Sequence, residues 1–189
     1  MTAHYQLIIN TPLGKMVAKA DENAVFALDF VSCDLESRSC FNTKRLQPPL
    51  TPPKEGNYSR QNGSNLPAMT DNSNNILLQL ATELDEYFAG KRREFSVPVL
   101  LQGTDFQVKT WQVLQQIPYG KTISYAEQAA LVGNPKAVRA VANANSKNKI
   151  VLLVPCHRVI GSNGSLTGFA SGLWRKERLI ELEKQELGK

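Results

Sequence analysis

Strand-like apolar segments open the chain. His4 to Ile9, Met16 to Ala20 and Ala24 to Val31 are separated by Pro12-Leu13-Gly14 and by Asp21-Glu22-Asn23, which predicts a β-hairpin or meander. From about Phe41 to Asn75 the composition changes to Pro, Gly, Asn, Ser and Gln, leaving little to bury. This predicts a long flexible loop or disordered insertion over 41–75, within the first domain. Ile76, Leu77, Leu80, Leu84, Tyr87 and Phe88 then recur at helical spacing, with Gly90 as the natural stop.

Phe95 to Leu100 predicts a short strand, and the break at Gly103 opens a second domain. Phe106 to Gln116 predicts an amphipathic helix in which core packing of Trp111 outweighs base stacking. Pro118-Tyr119-Gly120 is a turn. Ser124, followed three residues later by Glu127, has the capping-box pattern and starts a helix over Tyr125 to Leu131. Gly133-Asn134-Pro135 breaks it, and Pro135 at a first helical position predicts a second helix to about Asn145. Two short helices around a Gly-containing turn describe a helix-turn-helix. The second displays Lys136 and Arg139 among alanines (Ala137, Ala140, Ala142, Ala144). The alanines suit close approach to a partner or tight packing on a neighbouring helix, but packing leaves Arg139 unexplained. Ile150 to Val154 reads as a buried strand leading into Pro155-Cys156-His157-Arg158.

A chain of 189 residues suffices for one or two domains with a real core. With 42% hydrophobic and 21% charged residues it has ordinary globular composition. No apolar run approaches the roughly 18 residues of a membrane span, and no secretory signal is visible at the N-terminus. Three cysteines, Cys33, Cys40 and Cys156, fit free thiols in a reducing cytosol better than a disulfide framework. Residues 1–100 hold 10 basic and 11 acidic side chains, and residues 101–189 hold 12 and 6. A basic C-terminal half beside a neutral one suggests a polyanionic partner, with nucleic acid the obvious candidate; a well-solvated face is the blander explanation. A thiolate is the nucleophilic form of cysteine and basic neighbours favour it, so Cys156 beside His157 and Arg158 is a candidate nucleophile. Buried structural cysteines are equally familiar.

Taken together, the stretch from Gly103 to Glu183 resembles the O6-alkylguanine–DNA alkyltransferases, also called methylated-DNA–protein-cysteine methyltransferases. The resemblance rests on Gly103-Thr104-Asp105-Phe106-Gln107, Trp111, Ile117-Pro118-Tyr119-Gly120-Lys121-Thr122, Ser124-Tyr125 and Gly133-Asn134-Pro135-Lys136-Ala137-Val138-Arg139-Ala140-Val141. It continues through Pro155-Cys156-His157-Arg158-Val159-Ile160, Gly168-Phe169 and Leu179-Ile180-Glu181-Leu182-Glu183. The N-terminal half resembles the family loosely, through its strands and the helix before Gly90.

The resemblance implies an α/β (α+β) protein with a ribonuclease-H-like domain carrying an antiparallel sheet, at 1–95. A helical domain at 101–189 would carry a winged-helix-like helix-turn-helix and the active cysteine. It implies stoichiometric transfer of an alkyl group from guanine O6, and in a secondary way from O4-alkylthymine, to Cys156. His157 would take the thiol proton through a water, steadied by Glu183, and Tyr125 would donate a proton to the departing base. The base would be flipped from the duplex, Arg139 filling its place from a helix in the minor groove. Asn134 and Ser162 would contact the DNA backbone, and Asn148 would give structural support. The implied partner is double-stranded DNA with alkylated bases, bound by a cytoplasmic monomer (nuclear in a eukaryote) with no cofactor and no membrane contact. Cys33, Cys40 and His4 fall short of a four-ligand zinc set.

Three departures stand out: Lys149 where the family has proline, Ala142 where it has glycine, and Ala170-Ser171 where it has a glycine pair. Ser171 is therefore expected to narrow or reshape the alkyl pocket. A non-repairing lesion sensor, a cysteine hydrolase and a helix-turn-helix regulator are the competing classes. Cys156 argues against the sensor, since such proteins lack that cysteine.

Overall fold

A computed structural model describes residues 4–31, 74–186 and 188. The expected insertion at 41–75, except its last two residues, and also Cys33 and Cys40, lie outside them. Strands β1 (Tyr5–Thr11), β2 (Gly14–Ala20) and β3 (Val25–Phe30) form an antiparallel meander in that order. In its register Met16 faces Phe30 and Ala18 faces Leu28, all four buried. Helix α1 (Asn75–Phe88) packs Leu77, Leu80, Leu84 and Tyr87 into the same core. Its cap is Asn74, whose Oδ1 accepts from Ile76 N at 2.8 Å. The Asn74 amide also donates to Asp21 O at 2.7 Å, tying the helix start to the β2–β3 turn. Gly90, just past the end, takes φ 71°, a left-handed conformation that glycine adopts at little cost.

Phe95 to Leu100 is not a strand. A single parallel bridge joins Val99 to Val25, with Leu100 N donating to Val25 O at 2.9 Å and Val25 N to Pro98 O at 2.9 Å. Pro98 has no N–H to extend a ladder. Ile150 to Val154 is not a strand either. One bridge, Leu28 to Ile150, holds it to β3 (Leu28 N to Lys149 O 2.7 Å, Val151 N to Leu28 O 2.8 Å). The chain then coils through buried turns, with Leu152 at φ 73°. Its unbroken apolar character comes from burial on all sides, which periodicity alone cannot distinguish from a strand.

The second half is built around three helices: α2 (Asp105–Gln115), α3 (Tyr125–Leu131) and α4 (Val138–Ser146). Thr104 and Gln107 close a capping box on α2, and Ser124 and Glu127 close the expected one on α3. The α4 start differs from expectation. Asn134 to Ala137 form a turn (Ala137 N to Asn134 O 2.9 Å), so Pro135 and Lys136 precede the helix and Val138 begins it. Trp111 is buried, and its indole N–H donates to Ala144 O at 2.9 Å, which settles its core role. Between α3 and α4, Gln128 and Asn145 exchange amide bonds at 3.2 and 2.7 Å, both side chains buried. Gln128 also donates to Thr110 O of α2 at 3.3 Å. Short strands β4 (Ile123–Ser124) and β5 (Val159–Ile160) pair in parallel, and helix α5 (Leu173–Gln185) closes the chain.

Because the Gln128–Asn145 pair fixes the angle between α3 and α4, its loss strands a buried amide. Gln128→Leu is expected to cost about 1–3 kcal/mol, read as a lowered midpoint in scanning calorimetry. Ser146→Ala, on the exposed end of α4, should move it by less than about 0.5 kcal/mol.

Candidate active site

Cys156 opens a single turn of 3-10 helix, Cys156–Arg158, and every residue from Ile150 to Val159 is buried. Asn148 organises the approach. Its amide donates to Val154 O at 2.8 Å and to Cys156 Sγ at 3.3 Å, while its Oδ1 accepts from Ile150 N at 3.0 Å. Asn148 thus ties the loop together and also touches the thiol. The left-handed Leu152 is stored strain that this scaffold holds in place. Burial pushes the Cys156 thiol up, opposed by the Asn148 hydrogen bond and the Lys176 charge.

The basic residues next in sequence do not supply that charge. His157 and Arg158 both turn to Glu183 of α5. His157 Nε2 lies 2.9 Å from Glu183 Oε1. Arg158 donates to the same carboxylate through Nη2 at 2.9 Å and Nε at 3.0 Å, and through Nη1 to Ile117 O at 2.6 Å. Tyr87 Oη adds a bond at 2.8 Å and Gly120 N one at 2.9 Å. Burial would raise the Glu183 carboxyl, but the hydrogen bonds and charges of His157 and Arg158 hold it well below the usual carboxylate range. An ionised carboxylate only accepts, so the His157 Nε2 carries the proton. Burial keeps this imidazole's pKa below its ordinary 6.5, so it is neutral near pH 7. Its Nδ1 is then an unprotonated base, buried and without a protein hydrogen-bond partner among the described residues.

The charge that reaches the thiol belongs to Lys176, also fully buried and also on α5. Its Nζ donates to Val159 O and Thr167 O, each at 2.6 Å, and sits 5.8 Å from the centre of the Tyr125 ring. Burial lowers its pKa to about 8, against a raising pull from Cys156. The Tyr125 hydroxyl donates to Thr167 O at 3.2 Å and is held protonated by burial. A Cβ at Gly168 would come within 2.6 Å of that hydroxyl, so only glycine lets the loop lie so close to it. Cys156, His157, Glu183, Tyr125 and Asn148 are therefore gathered into one site, the first three buried and Tyr125 and Asn148 half-buried at its edge. Asn134, Arg139 and Ser162 are not. All three are exposed, Arg139 near the start of α4 and Ser162 just past β5. Among the described residues no group of three or more His, Cys, Asp or Glu is placed to hold a metal ion, and no helix is long and apolar enough to cross a membrane.

Four participants escape sequence reasoning: Lys176, Tyr87, the Gly120 amide and the pairing of Arg158 with Glu183. One signal was present. Lys176, Leu179, Ile180 and Glu183 share a helical face, and all four are buried. Charged groups on an otherwise apolar stripe are buried charges with partners to be found.

Comparison with known proteins bears on the same residues. A family described as 6-O-methylguanine DNA methyltransferase, ribonuclease-like domain, matches residues 4–101, and its DNA-binding domain matches 105–185. A methylated-DNA–protein-cysteine methyltransferase of Methanosarcina barkeri is 37% identical over 97% of this chain and 99% of its own. The constitutive enzyme of that name from Bacillus subtilis is 56% identical over 57% of this chain and 66% of its own. The crystal structure of Mycobacterium tuberculosis OGT in complex with DNA superposes with TM-score 0.71 at 34% identity, covering 95% of this chain and 92% of that one.

The buried network also predicts how stability follows pH. Glu183 sits below its ordinary 4.5, and His157 below its ordinary 6.5. In both cases the unfolded chain binds the proton first as pH falls, so acid destabilises the fold. The denaturation midpoint in urea should drop as pH falls below 6.5 and again below 4.5, the second drop shrinking in Glu183→Gln, with Glu83 among the carboxylates that keep part of it. At pH 7 that variant should lose about 3–5 kcal/mol, because it leaves the Arg158 charge buried and unpaired.

Proposed function

The chain belongs to the family of methylated-DNA–protein-cysteine methyltransferases, and on that premise we propose that Cys156 accepts the alkyl group from O6-alkylguanine in double-stranded DNA, once per molecule. Membership makes it a DNA-binding methyltransferase of DNA repair. The residue roles, the single turnover and the lesion are our reading. The observation that carries them is the His157–Glu183 bond beside a buried thiol.

In that reading the Cys156 proton passes through a water to His157 Nδ1, and Glu183 steadies the imidazolium that forms. Asn148 and Lys176 stabilise the thiolate. Sulfur attacks the alkyl carbon, an S–C bond forms as the C–O bond breaks, and the electron pair stays on guanine. The Tyr125 hydroxyl protonates the departing base, a role suited to a phenol that burial keeps protonated. The product thioether is a poor leaving group, so the protein is consumed. O4-alkylthymine, which presents the same alkyl–oxygen bond, is a secondary substrate.

The cysteine lies below the surface, so the base must leave the duplex to meet it. Arg139 enters the space the base vacates, with α4 in the minor groove, where its small neighbours Ala140 and Ala142 allow close approach. Asn134 and Ser162 hold the DNA backbone on either side, and the protein works as a monomer.

Incubated with a duplex containing O6-methylguanine, the protein should gain the mass of one methyl group on Cys156, and Cys156→Ser should gain none. Unchanged mass despite tight binding would instead support a lesion sensor or a helix-turn-helix regulator, and turnover would support a hydrolase. Arg139→Ala should slow transfer from duplex DNA about tenfold or more, since flipping costs a few kcal/mol, and leave reaction with the free base unchanged. The transfer rate should hold down to below pH 6.5 and fall only under it, as His157 becomes protonated.

A further inference from the structure

We propose that Asp29, on β3 of the N-terminal sheet, is a positioning residue for the alkyl-accepting site, acting through Ser171 to set how large an alkyl group the site takes. The proposal rests on the transfer reading above and deepens it. The loop from Thr167 to Gly172 lies against Tyr125 and Lys176, the two side chains whose electrostatics reach the thiol. Thr167 O receives both the Tyr125 hydroxyl and the Lys176 ammonium, and Gly168 lies against the Tyr125 hydroxyl. Where the next residues of this loop sit decides how far that wall stands from Cys156.

Those residues are held from outside their own half of the chain. The Ser171 hydroxyl donates to Asp29 Oδ1 at 2.8 Å, across 142 positions of sequence. The same Oδ1 accepts from Phe30 N at 2.7 Å, which fixes the carboxylate on its strand. At the other end of the residue, Ser171 O accepts from Arg175 Nη1 at 2.6 Å. Arg175 is itself tied to the sheet. Its Nε donates to Leu13 O at 2.9 Å, and its guanidinium stacks between Phe30 at 4.8 Å and Trp174 at 4.5 Å. Both anchors of Ser171 therefore end on the β1–β3 meander.

A groove of about 780 Å³, lined by Asp29, Phe30, Ser171, Trp174, Arg175 and Glu177 among others, lies on this side of the loop. Released from Asp29, the loop borders open space into which Ala170, Ser171 and Gly172 can shift. The Ser171 side chain thus acts chiefly through its grip on the sheet. Without that side chain, or without Asp29, the wall gains freedom and a bulky group enters more easily.

The test is the ratio of transfer rate constants for duplexes carrying O6-benzylguanine and O6-methylguanine, read by intact mass. Asp29→Ala and Ser171→Gly should each raise the benzyl-to-methyl ratio between about twofold and about tenfold, the worth of one hydrogen bond. The double variant should show no more than either single one, because both remove the same bond. Asp29→Asn keeps the accepting Oδ1 and should stay near wild type. A ratio unmoved in both single variants, effects that multiply in the double variant, or Asn behaving as Ala would each overturn the proposal alone. A wild-type protein that takes neither group would overturn the transfer reading, and this proposal with it.

Discussion

The Glu183 carboxylate is the interaction on which the rest of the site depends. It lies almost wholly buried, and it accepts from Tyr87 on α1, Gly120 in the turn before β4, and His157 and Arg158 after the cysteine. These donors come from three separate segments, so one side chain fixes where they meet. Desolvating such a group is costly, and it is tolerable only because its lone pairs are fully used. The same bonds do chemical work, since they keep the carboxylate ionised and oblige His157 to present Nε2–H to it. That leaves Nδ1 as a base near a thiol. Fold and reactivity thus rest on one ionisation state.

Helix α5 carries both charges that the site requires. Lys176 and Glu183 are seven residues apart, two turns along one face, or about 10 Å of rise. The first places a cation on the thiol side and the second an anion on the histidine side. The 3-10 turn between them does the sorting. Successive side chains on such a turn diverge by roughly a third of a revolution, so Cys156, His157 and Arg158 cannot share one direction. This is why the basic residues adjacent in sequence serve Glu183, while the cation that favours the thiolate comes from 20 residues downstream, a lysine whose own pKa is lowered by burial to about 8.

What was legible in the chain follows from locality. The helix Tyr125–Leu131 could be placed to the residue because its capping box is written within four positions, and the bonds of that box are formed. The three N-terminal strands were plain in number and order, bounded as they are by turn residues, though most of their ends shift by one or two positions. Ile150 to Val154 was misread because a segment buried on every side looks the same whether extended or coiled. Pro135 was misread because a proline suits a turn as well as a first helical position. The site was legible in its Cys156, His157, Tyr125 and Glu183 through resemblance, without which their meeting would have been invisible. Lys176 was recoverable from helical phase. Tyr87 was not, because its hydrogen bond spans 96 positions and nothing local marks a core tyrosine as a donor.

The N-terminal sheet has a larger part in this site than its distance in sequence suggests. Two consecutive residues of β3 reach opposite walls of the chemistry. Leu28 holds the segment that delivers Cys156, through its N–H to Lys149 O and its C=O from Val151 N. Asp29 holds the loop that faces Tyr125, through Ser171. In a strand, neighbouring side chains point to opposite faces, which is why Leu28 is buried in the core while Asp29 remains exposed and free to reach the loop. Backbone bonds and a side-chain bond from adjacent positions therefore set two walls at once. A shift of β3 moves both, and only the Asp29 link can be released without disturbing the core.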